Sequence, residues 1–492
     1  MLAHPPFPSG RCLALFTERK LGCFTDWTQT IGITRLSVYM STTPATISKR
    51  DRAALPMLAL TMPIAMESFF RILVSSVDTF MLSSYSQEAV AAVGLISQYI
   101  FFIHVMFNVI CIGTSIVLSQ YLGAARDAEA KQVAQASAVM VTGVAIVLGI
   151  AVFAGGRLLL SQYAIDEAVR DYAWQYFAIF GGVGTLFMAF SLLQTTILRS
   201  HGYTRDAMYI SLTANIINVI GNALALYGFF GLPVLGVPGV AAASVFSQLI
   251  ACILLAIRIR KKEDVHFPIR AWQKVPGKIY KTILKIGVPT AGENLSYNIA
   301  QIVLMAMVST LGTAAMSAMV YAQAIARFVV VIPISIGNAT QIKTGYYVGA
   351  KRPEDAYRRV WKYQAIGTVL SLALILMLNL FKSPLIALFN PTPEIAALTG
   401  SLLLVSIYME TGRSINLITI PALKGAGDVR FPVFYGLFSM WLFMVFGAWI
   451  LAFKLGLGLV GIWLAISTDE TLRGIVMLLR WRSKRWMTKA LA

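Results

Sequence analysis

Charge is scarce in this 492-residue sequence. Asp, Glu, Lys and Arg make up only 13% of the residues, whereas hydrophobic residues make up 57%. A soluble domain carries about 25% charged residues, most of them on its surface. Acidic residues are the scarcest, with 22 Asp and Glu against 41 Lys and Arg. The composition excludes an ordinary soluble protein and indicates a chain that lies mostly within a membrane.

Motifs for metal, nucleotide and redox chemistry are also missing. The four cysteines and four histidines lack the spacing of a metal or redox site. No glycine-rich phosphate-binding loop is present, which argues against pumping driven by ATP. No cluster of aspartates could hold magnesium for a membrane-embedded transferase. We therefore expect neither an enzyme nor a protein with a bound cofactor or a firm metal site.

Long apolar stretches take the place of these motifs. About 20 helical residues cross roughly 30 Å of hydrocarbon, and stretches of that length recur along the chain after Pro56. We predict an all-α polytopic membrane protein with twelve transmembrane helices. Their approximate spans are 56–82, 92–120, 134–155, 173–197, 207–230, 236–257, 284–309, 315–342, 362–381, 397–421, 432–453 and 457–479.

The chain is internally duplicated. The segment LTMPIAMESFF from Leu60 matches IGVPTAGENLS from Ile286, which aligns Glu67 with Glu293. At almost the same offset, YLGAAR matches YVGAKR and LRSHG matches LKGAG. Six crossings return the chain to its starting side, so the two six-helix lobes should be parallel repeats. We expect a central cavity between them.

The positions of the basic residues predict the orientation in the membrane. Most of them fall in alternate loops and near the two ends of the chain. The remaining loops hold only Arg157, Arg170, Lys382 and Lys454. Because cytoplasmic loops are enriched in Lys and Arg, we expect both termini in the cytoplasm and a bacterial-type inner membrane as the location. The net charge of +19 is then a topology signal, and no nucleic-acid partner is expected.

These patterns divide the chain into five segments. The first tail has no apolar run long enough for a signal peptide, and Met40 opens a stretch typical of a natural start. The predicted segments are a cytoplasmic tail at 1–52, a first lobe at 53–258, a basic linker at 259–281, a second lobe at 282–480 and a cytoplasmic tail at 481–492.

Ionisable residues in helix 1 are the first candidate functional groups, because a charge in hydrocarbon is costly and is usually paired or functional. Glu67, Arg71 and Asp78 fall within about 40° of one another around the helix axis. Glu67 and Arg71 fit a structural ion pair, whereas Asp78 is too far along the helix to pair tightly with Arg71. A carboxylate in apolar surroundings favours its protonated form. Asp78 is therefore the candidate proton or cation site.

Two asparagines in helix 5 are candidate partners of this site. Asn218 and Asn222 lie one helical turn apart, so their amides face the same way. They could coordinate an ion or hold Asp78 by hydrogen bonds. Asparagine also serves as packing glue between membrane helices, and both interpretations remain open.

The second half carries a different set of charges. Glu293 in helix 7 has no basic residue within a turn, whereas Glu410 and Arg413 in helix 10 are three residues apart and can neutralise each other. Arg327 in helix 8 could pair with either glutamate. A further group in helix 12, which we interpret as structural, consists of Asp469, Glu470 and Arg473.

Several short motifs in this order resemble the multidrug and toxic compound extrusion (MATE) family. They are VDTFMLSSYSQEAVAAVG at 77–94, GTSIVLSQYLGA at 113–124, the paired LRSHG and LKGAG, and NVIGN at 218–222. The resemblance covers nearly all of residues 53–485. It implies a V-shaped pair of six-helix lobes and secondary-active export driven by inward flow of protons or sodium ions.

The resemblance also assigns residues. Asp78 matches the helix 1 aspartate of the family's VDT motif, which is implicated in cation coupling. Asn218 matches its helix 5 asparagine, and Asn222 falls where some members have aspartate. Where the sodium-coupled branch has a glutamate and an aspartate in the second lobe, this sequence has Tyr297 and Arg413.

That departure weakens a sodium site in the second lobe, although Glu293 and Glu410 lie about one turn from the two altered positions. We favour protons over sodium as the coupling ion, with Na⁺ at Asp78 as the alternative. The residues expected to support the site or line the substrate cavity are Glu67, Arg71, Glu293, Tyr297, Glu410 and Arg413.

The resulting hypothesis is a cation-coupled antiporter that exports amphiphilic organic compounds, such as drugs, dyes or secondary metabolites, by alternating access. Its expected partners are a small organic substrate and membrane lipid, and we expect a monomer. One alternative is a flippase for lipid-linked saccharides, a class that often has more helices and a more cationic cavity. A second alternative is a membrane-embedded transferase, which the missing aspartate cluster disfavours.

Overall fold

The computed structural model describes residues 52–231, 233–262, 264–265 and 275–491. The predicted N-terminal tail up to Asp51, including Met40, and most of the predicted linker lie outside these residues. Throughout the described part the regular structure is helical, without strands.

Twelve long helices follow one another along the described part of the chain, one for each predicted span. Most extend several residues beyond the apolar stretch that predicted them. They are α1 (Met57–Tyr85), α2 (Gln87–Gly123), α3 (Asp127–Ser161), α4 (Glu167–Ser200), α5 (Thr204–Tyr227), α6 (Gly236–Arg260), α7 (Gly277–Ser309), α8 (Thr313–Gly349), α9 (Pro353–Leu380), α10 (Pro393–Gly425), α11 (Arg430–Lys454) and α12 (Gly458–Arg482).

Ten of these helices are long and apolar enough to cross a membrane by length and composition alone. The other two, α7 and α12, carry polar and charged side chains that line the interior, among them Glu293 and Glu470. Such side chains are tolerated in a membrane helix when they face the bundle interior rather than lipid.

Local signals set several helix ends and interruptions. Ser86 caps α2 by accepting a hydrogen bond from the Ala89 backbone N–H at 2.9 Å. Gly228 ends α5 in the left-handed conformation, with φ of 61°. Both α1 and α7 run unbroken through their internal prolines, Pro63 and Pro289. A π-helical segment, Phe177–Val183, widens the middle of α4.

The helices form two six-helix lobes, at 57–260 and 277–482. In the first lobe α5 packs on α1 and α6, and in the second α10 lies between α8 and α12. The lobes meet through two equivalent pairs, since α1 of the first lobe packs on α8 and α7 of the second packs on α2. The first helix of each lobe therefore contacts the second helix of the other, as the sequence duplication requires.

The α2–α7 crossing brings two backbones into direct contact. A Cβ atom on Gly287 would lie 1.9 Å from the Val109 carbonyl oxygen, and one on Gly113 would lie 2.4 Å from that of Ile283. Only glycine fits at either position without moving a helix.

One end of the bundle is closed by hydrogen bonds between the lobes. Lys343 near the end of α8 donates to the Ala53 carbonyl, and Tyr347 donates to the same oxygen at 3.0 Å. Tyr346 donates to the Ser200 carbonyl at 2.5 Å. Because these side chains are buried, the bonds form away from water and hold the two lobes together.

The end of the chain adds to this closure. The Gln120 amide of α2 donates to the Gly425 carbonyl of α10 at 2.8 Å, and its oxygen accepts from the Leu491 N–H at 2.7 Å. Next to it, Trp486 stacks on Trp481 with ring centroids 4.0 Å apart. The closed end is therefore the one that carries the last described residues.

Candidate substrate cavity and cation site

A cavity of about 1110 Å³ lies between the lobes, above the closed end. Helices of both lobes line it, with α1, α2 and α4 on one side and α7, α8, α10, α11 and α12 on the other. Sites for drug-sized ligands are typically about 300–1,000 Å³. The cavity is therefore large enough for such a molecule.

The uncharged part of the lining is amphiphilic. Unbranched methionine side chains can adapt to different shapes, and amides offer both donors and acceptors. The uncharged lining side chains of these two kinds include Met305, Met409, Met440, Asn108, Asn294, Gln301, Gln323 and Gln341.

Two equivalent ion pairs lie at the base of the cavity. Glu67 of α1 pairs with Arg199 of α4, and Glu293 of α7 pairs with Lys424 of α10 at 2.7 Å. The predicted ion pair between Glu67 and Arg71 is therefore wrong, because Glu67 takes its partner from another helix. The partners occupy matching places in the repeated LRSHG and LKGAG motifs. The duplicated motifs contain this signal, because they align the two basic partners as well as the two glutamates.

A second group of charges lies in the second lobe. Arg413 pairs with Glu410 at 2.9 Å, as the spacing predicted, and its Nε lies 3.9 Å from Glu470. Glu470 also accepts a hydrogen bond from Asn416 at 2.7 Å. Tyr297 lines the same wall of the cavity. Within the helix 12 group, Asp469 pairs with Arg473 one turn further along the helix.

Two arginines of the cavity lining have no carboxylate partner in the part of the chain that the structure describes. They are Arg71 on α1 and Arg327 on α8, one from each lobe, and both are exposed to the cavity. Arg327 pairs with neither of the two glutamates that the sequence offered as partners, because Glu293 pairs with Lys424 and Glu410 with Arg413.

The residues predicted as the cation site lie together inside the first lobe, outside the cavity lining. The Asn222 amide donates to Asp78 Oδ1 at 3.0 Å and lies 3.4 Å from the oxygen of Asn218. Asn218 in turn donates to Ser244 at 3.1 Å. Tyr176 completes the group by interacting with Asp78 and Ser244. We call these five residues the Asp78 cluster.

The cluster has two unsatisfied features. Asp78 has no basic partner among the described residues, unlike the other carboxylates inside the bundle. In addition, the buried Oδ1 of Asn222 receives no hydrogen bond from the described residues. An unpaired carboxylate beside an unpaired acceptor is a site that favours a bound cation or proton. Ser244 and Tyr176 were missed in the sequence, because nothing in the spacing connects α4 and α6 with α1.

A duplicated twelve-helix bundle with a central cavity closed at one end is the architecture of a membrane transporter. Comparison with known proteins agrees with this assignment to the membrane transporters. The MatE family profile matches residues 63–224 and 289–450, one match in each lobe.

Similar proteins extend over most of the chain. The uncharacterized transporter YisQ of Bacillus subtilis is 36% identical over 441 residues, covering 89% of this chain and 96% of its own. A probable multidrug resistance protein NorM of Thermotoga maritima is 23% identical over 438 residues, covering 88% and 93%. A solved structure described as the outward-facing conformation of a multidrug resistance MATE family transporter has a TM-score of 0.82 at 22% identity, covering 90% of this chain and 98% of its own.

These findings place the chain in the MATE family. It is accordingly an integral membrane transporter and not an enzyme. Members of this family couple transport of small organic substrates to an ion and need no cofactor.

Proposed function

We propose that the protein is a proton-coupled antiporter that exports amphiphilic organic compounds, with Asp78 as the coupling residue. The observation that carries this proposal is the Asp78 cluster: a carboxylate that has no basic partner among the described residues and is held by Asn222. A permanently charged carboxylate inside a membrane-spanning bundle is costly in free energy, whereas one that is neutralised in each transport cycle can drive a conformational change.

The Asn222 Oδ1, which accepts no hydrogen bond from the residues that the structure describes, supports a proton over sodium. A protonated Asp78 can donate its O–H to this oxygen while it still accepts the Asn222 N–H, so that both partners are satisfied. A metal ion instead requires a shell of several oxygen ligands. The cluster contains one carboxylate, and the Asn218 oxygen already lies within hydrogen-bonding distance of Asn222.

Helix α1 provides a physical connection between coupling and transport. It carries Asp78 in the cluster, Arg71 in the cavity wall and, further along, the contact with α8 of the other lobe. Neutralisation of Asp78 changes how α1 packs on α5, which in turn moves the cavity wall and the contact between lobes. With the closed end in the cytoplasm, the described state faces outward and is ready to take up a proton and release substrate.

The alternatives receive less support. A lipid-linked saccharide flippase would share the duplicated fold, but that class often has more helices than the twelve found in the described residues, and the similar NorM protein is described as a probable multidrug resistance protein. A transferase would require a metal-binding carboxylate cluster, and the carboxylates that line the cavity are paired with basic residues.

The test is efflux from proteoliposomes that contain the purified full-length protein. An imposed proton gradient or sodium gradient drives the export of two dyes with one xanthene scaffold, cationic rhodamine 123 and anionic carboxyfluorescein. We expect the wild-type protein to move at least one dye under a proton gradient, and Asp78→Asn to abolish this movement while inserting normally. Equal efflux by the wild type and Asp78→Asn would refute the assignment.

Asp206→Asn is the matched control. Asp206 lies at the other end of α5, where it pairs with Arg258 at 2.8 Å and Lys262 at 3.2 Å. We expect this variant to retain gradient-driven efflux, because its carboxylate is a partner of surface charges and lies outside the Asp78 cluster.

A further inference from the structure

The cavity carries an excess of positive charge on its walls. Among the described residues, six basic and two acidic side chains line it. Both acidic side chains already have partners: Glu293 pairs with Lys424, and Glu470 contacts Asn416 and Arg413. The six basic residues of the lining are Arg71, Arg199, Arg327, Arg413, Lys424 and Arg473.

Four of these six basic residues are neutralised within the protein. Arg199 and Lys424 belong to the two ion pairs at the cavity base, and Arg413 and Arg473 pair with carboxylates of the second lobe. Arg71 and Arg327 are different, because within the described residues neither has a carboxylate within ion-pair distance. Arg71 also lies close enough to Arg199 to be repelled by it, which only partly offsets its attraction to Glu67.

The two arginines lie on neighbouring helices. At this level α1 and α8 touch, since the rings of Phe69 and Phe328 lie 6.0 Å apart. Phe69 is two residues before Arg71, and Phe328 directly follows Arg327. Two guanidinium groups, one from each lobe, therefore face the same cavity beside one helix junction.

We infer that the cavity selects amphiphilic organic anions, and that Arg71 and Arg327 bind the anionic group. This inference rests on the proposed transport function and specifies its substrate class. Guanidinium groups bind carboxylate, sulfonate and phosphate oxygens through paired hydrogen bonds. A cation in the same place would meet two guanidinium groups that have no ion-pair partner among the described residues, whereas an anion is attracted to both. The methionine and aromatic lining then accommodates the apolar part of the molecule.

The arrangement also gives the substrate a role in the transport cycle. Because one arginine belongs to each lobe, an anion bound by both side chains bridges α1 and α8. Release of the anion removes that bridge and leaves the two walls free to separate.

The test compares the binding and efflux of carboxyfluorescein and rhodamine 123 by the reconstituted full-length protein. We expect wild-type protein to bind and export carboxyfluorescein in preference to rhodamine 123. Arg71→Gln and Arg327→Gln should each weaken carboxyfluorescein binding about tenfold, the usual result of losing one charge-assisted hydrogen bond. Arg71→Lys and Arg327→Lys should recover part of the loss, because the charge is restored without the planar fork.

Arg482→Gln is the control for a general effect of removing one positive charge, since this exposed residue lies at the end of α12, away from the cavity. Export of rhodamine 123 but not carboxyfluorescein under an ion gradient would overturn the inference and leave the proposed transport function intact. The inference would also be overturned if Arg71→Gln and Arg327→Gln both bound carboxyfluorescein as tightly as the wild type does. Failure to move either dye under either gradient would instead refute the transport function, and the inference with it.

Discussion

At the scale of single residues, the Asp78 cluster depends on one amide. The Asn222 side chain holds the donor that contacts Asp78 and also an acceptor that has no partner within the described part of the chain. Asn218 instead reaches the carboxylate through Asn222. Although the two asparagines are neighbours on one helix face, we expect Asn222 to contribute more to transport than Asn218.

This difference gives a graded prediction. Asn222→Ala should lower the initial rate of gradient-driven dye efflux about tenfold or more, because hydrogen bonds to a charged group contribute roughly 1.5–3 kcal/mol. Asn218→Ala should have a smaller effect. Rates are measured at a fixed gradient, with equal amounts of inserted protein. A larger loss in Asn218→Ala than in Asn222→Ala would contradict this account of the cluster.

The sequence predicted part of the candidate site and missed the rest for a physical reason. Helical periodicity orders residues on one helix, so Glu410 with Arg413 and Asn218 beside Asn222 were predictable. The contact of Asp78 with Asn222 was among the predicted alternatives. Partners on different helices depend on packing, and periodicity does not report packing. Arg199 as the partner of Glu67 could be recognised only by placing both residues within the duplicated motifs.

At the scale of elements, the duplicated ion pairs fix α1 to α4 and α7 to α10. Glu67 and Glu293 are both buried, and each is held by the basic residue of the matching repeat motif. The same construction in both lobes indicates that these pairs stabilise each lobe and set the shape of the cavity base.

Removal of one partner should therefore be costly. Glu293→Gln leaves Lys424 buried without its carboxylate, and we expect a loss of about 3 kcal/mol in the free energy of unfolding. The charge swap Glu293→Lys with Lys424→Glu should restore part of it. Thermal unfolding in detergent measures the effect. The exposed pair of Glu354 and Lys484 is the control, and Glu354→Gln should cost less than about 1 kcal/mol.

The α2–α7 crossing gives a second prediction at this scale. Gly287→Ala should destabilise the protein by about 1–3 kcal/mol, because its Cβ would overlap the Val109 carbonyl of the opposite helix. Gly292→Ala, five residues further along α7, meets open space. That control should be neutral or slightly stabilising, since alanine favours helix. Equal melting temperatures for both variants would show that the helices do not cross this closely.

At the scale of the whole molecule, the closed end defines one state of an alternating-access cycle. Gln120 links α2 to α10 and to the chain end, so it joins the two lobes at that closure. Closure of one end and a cavity above it are what transport requires, provided that the closure is reversible.

Weakening the contacts of Gln120 should shift the equilibrium from the state closed at this end of the bundle toward the state closed at the opposite end. With spin labels at the opposite end of the bundle, near Tyr85 on α1 and Ser309 on α7, Gln120→Leu should increase the population of short distances between the labels. Gln162→Leu, in an exposed loop, should leave the distance distribution as in the wild type. Native cysteines are replaced by serine in all three proteins. An unchanged distribution in Gln120→Leu would show that other contacts hold the closure.

The central claim is that Asp78 couples proton movement to export, and proton flux tests it most directly. Proteoliposomes carry a trapped pH-sensitive dye and an imposed pH gradient, and transported substrate is added. We predict that substrate accelerates collapse of the gradient with the wild type and with Asp206→Asn, and has no effect with Asp78→Asn. Substrate-dependent proton flux in Asp78→Asn equal to that of the wild type would contradict the account.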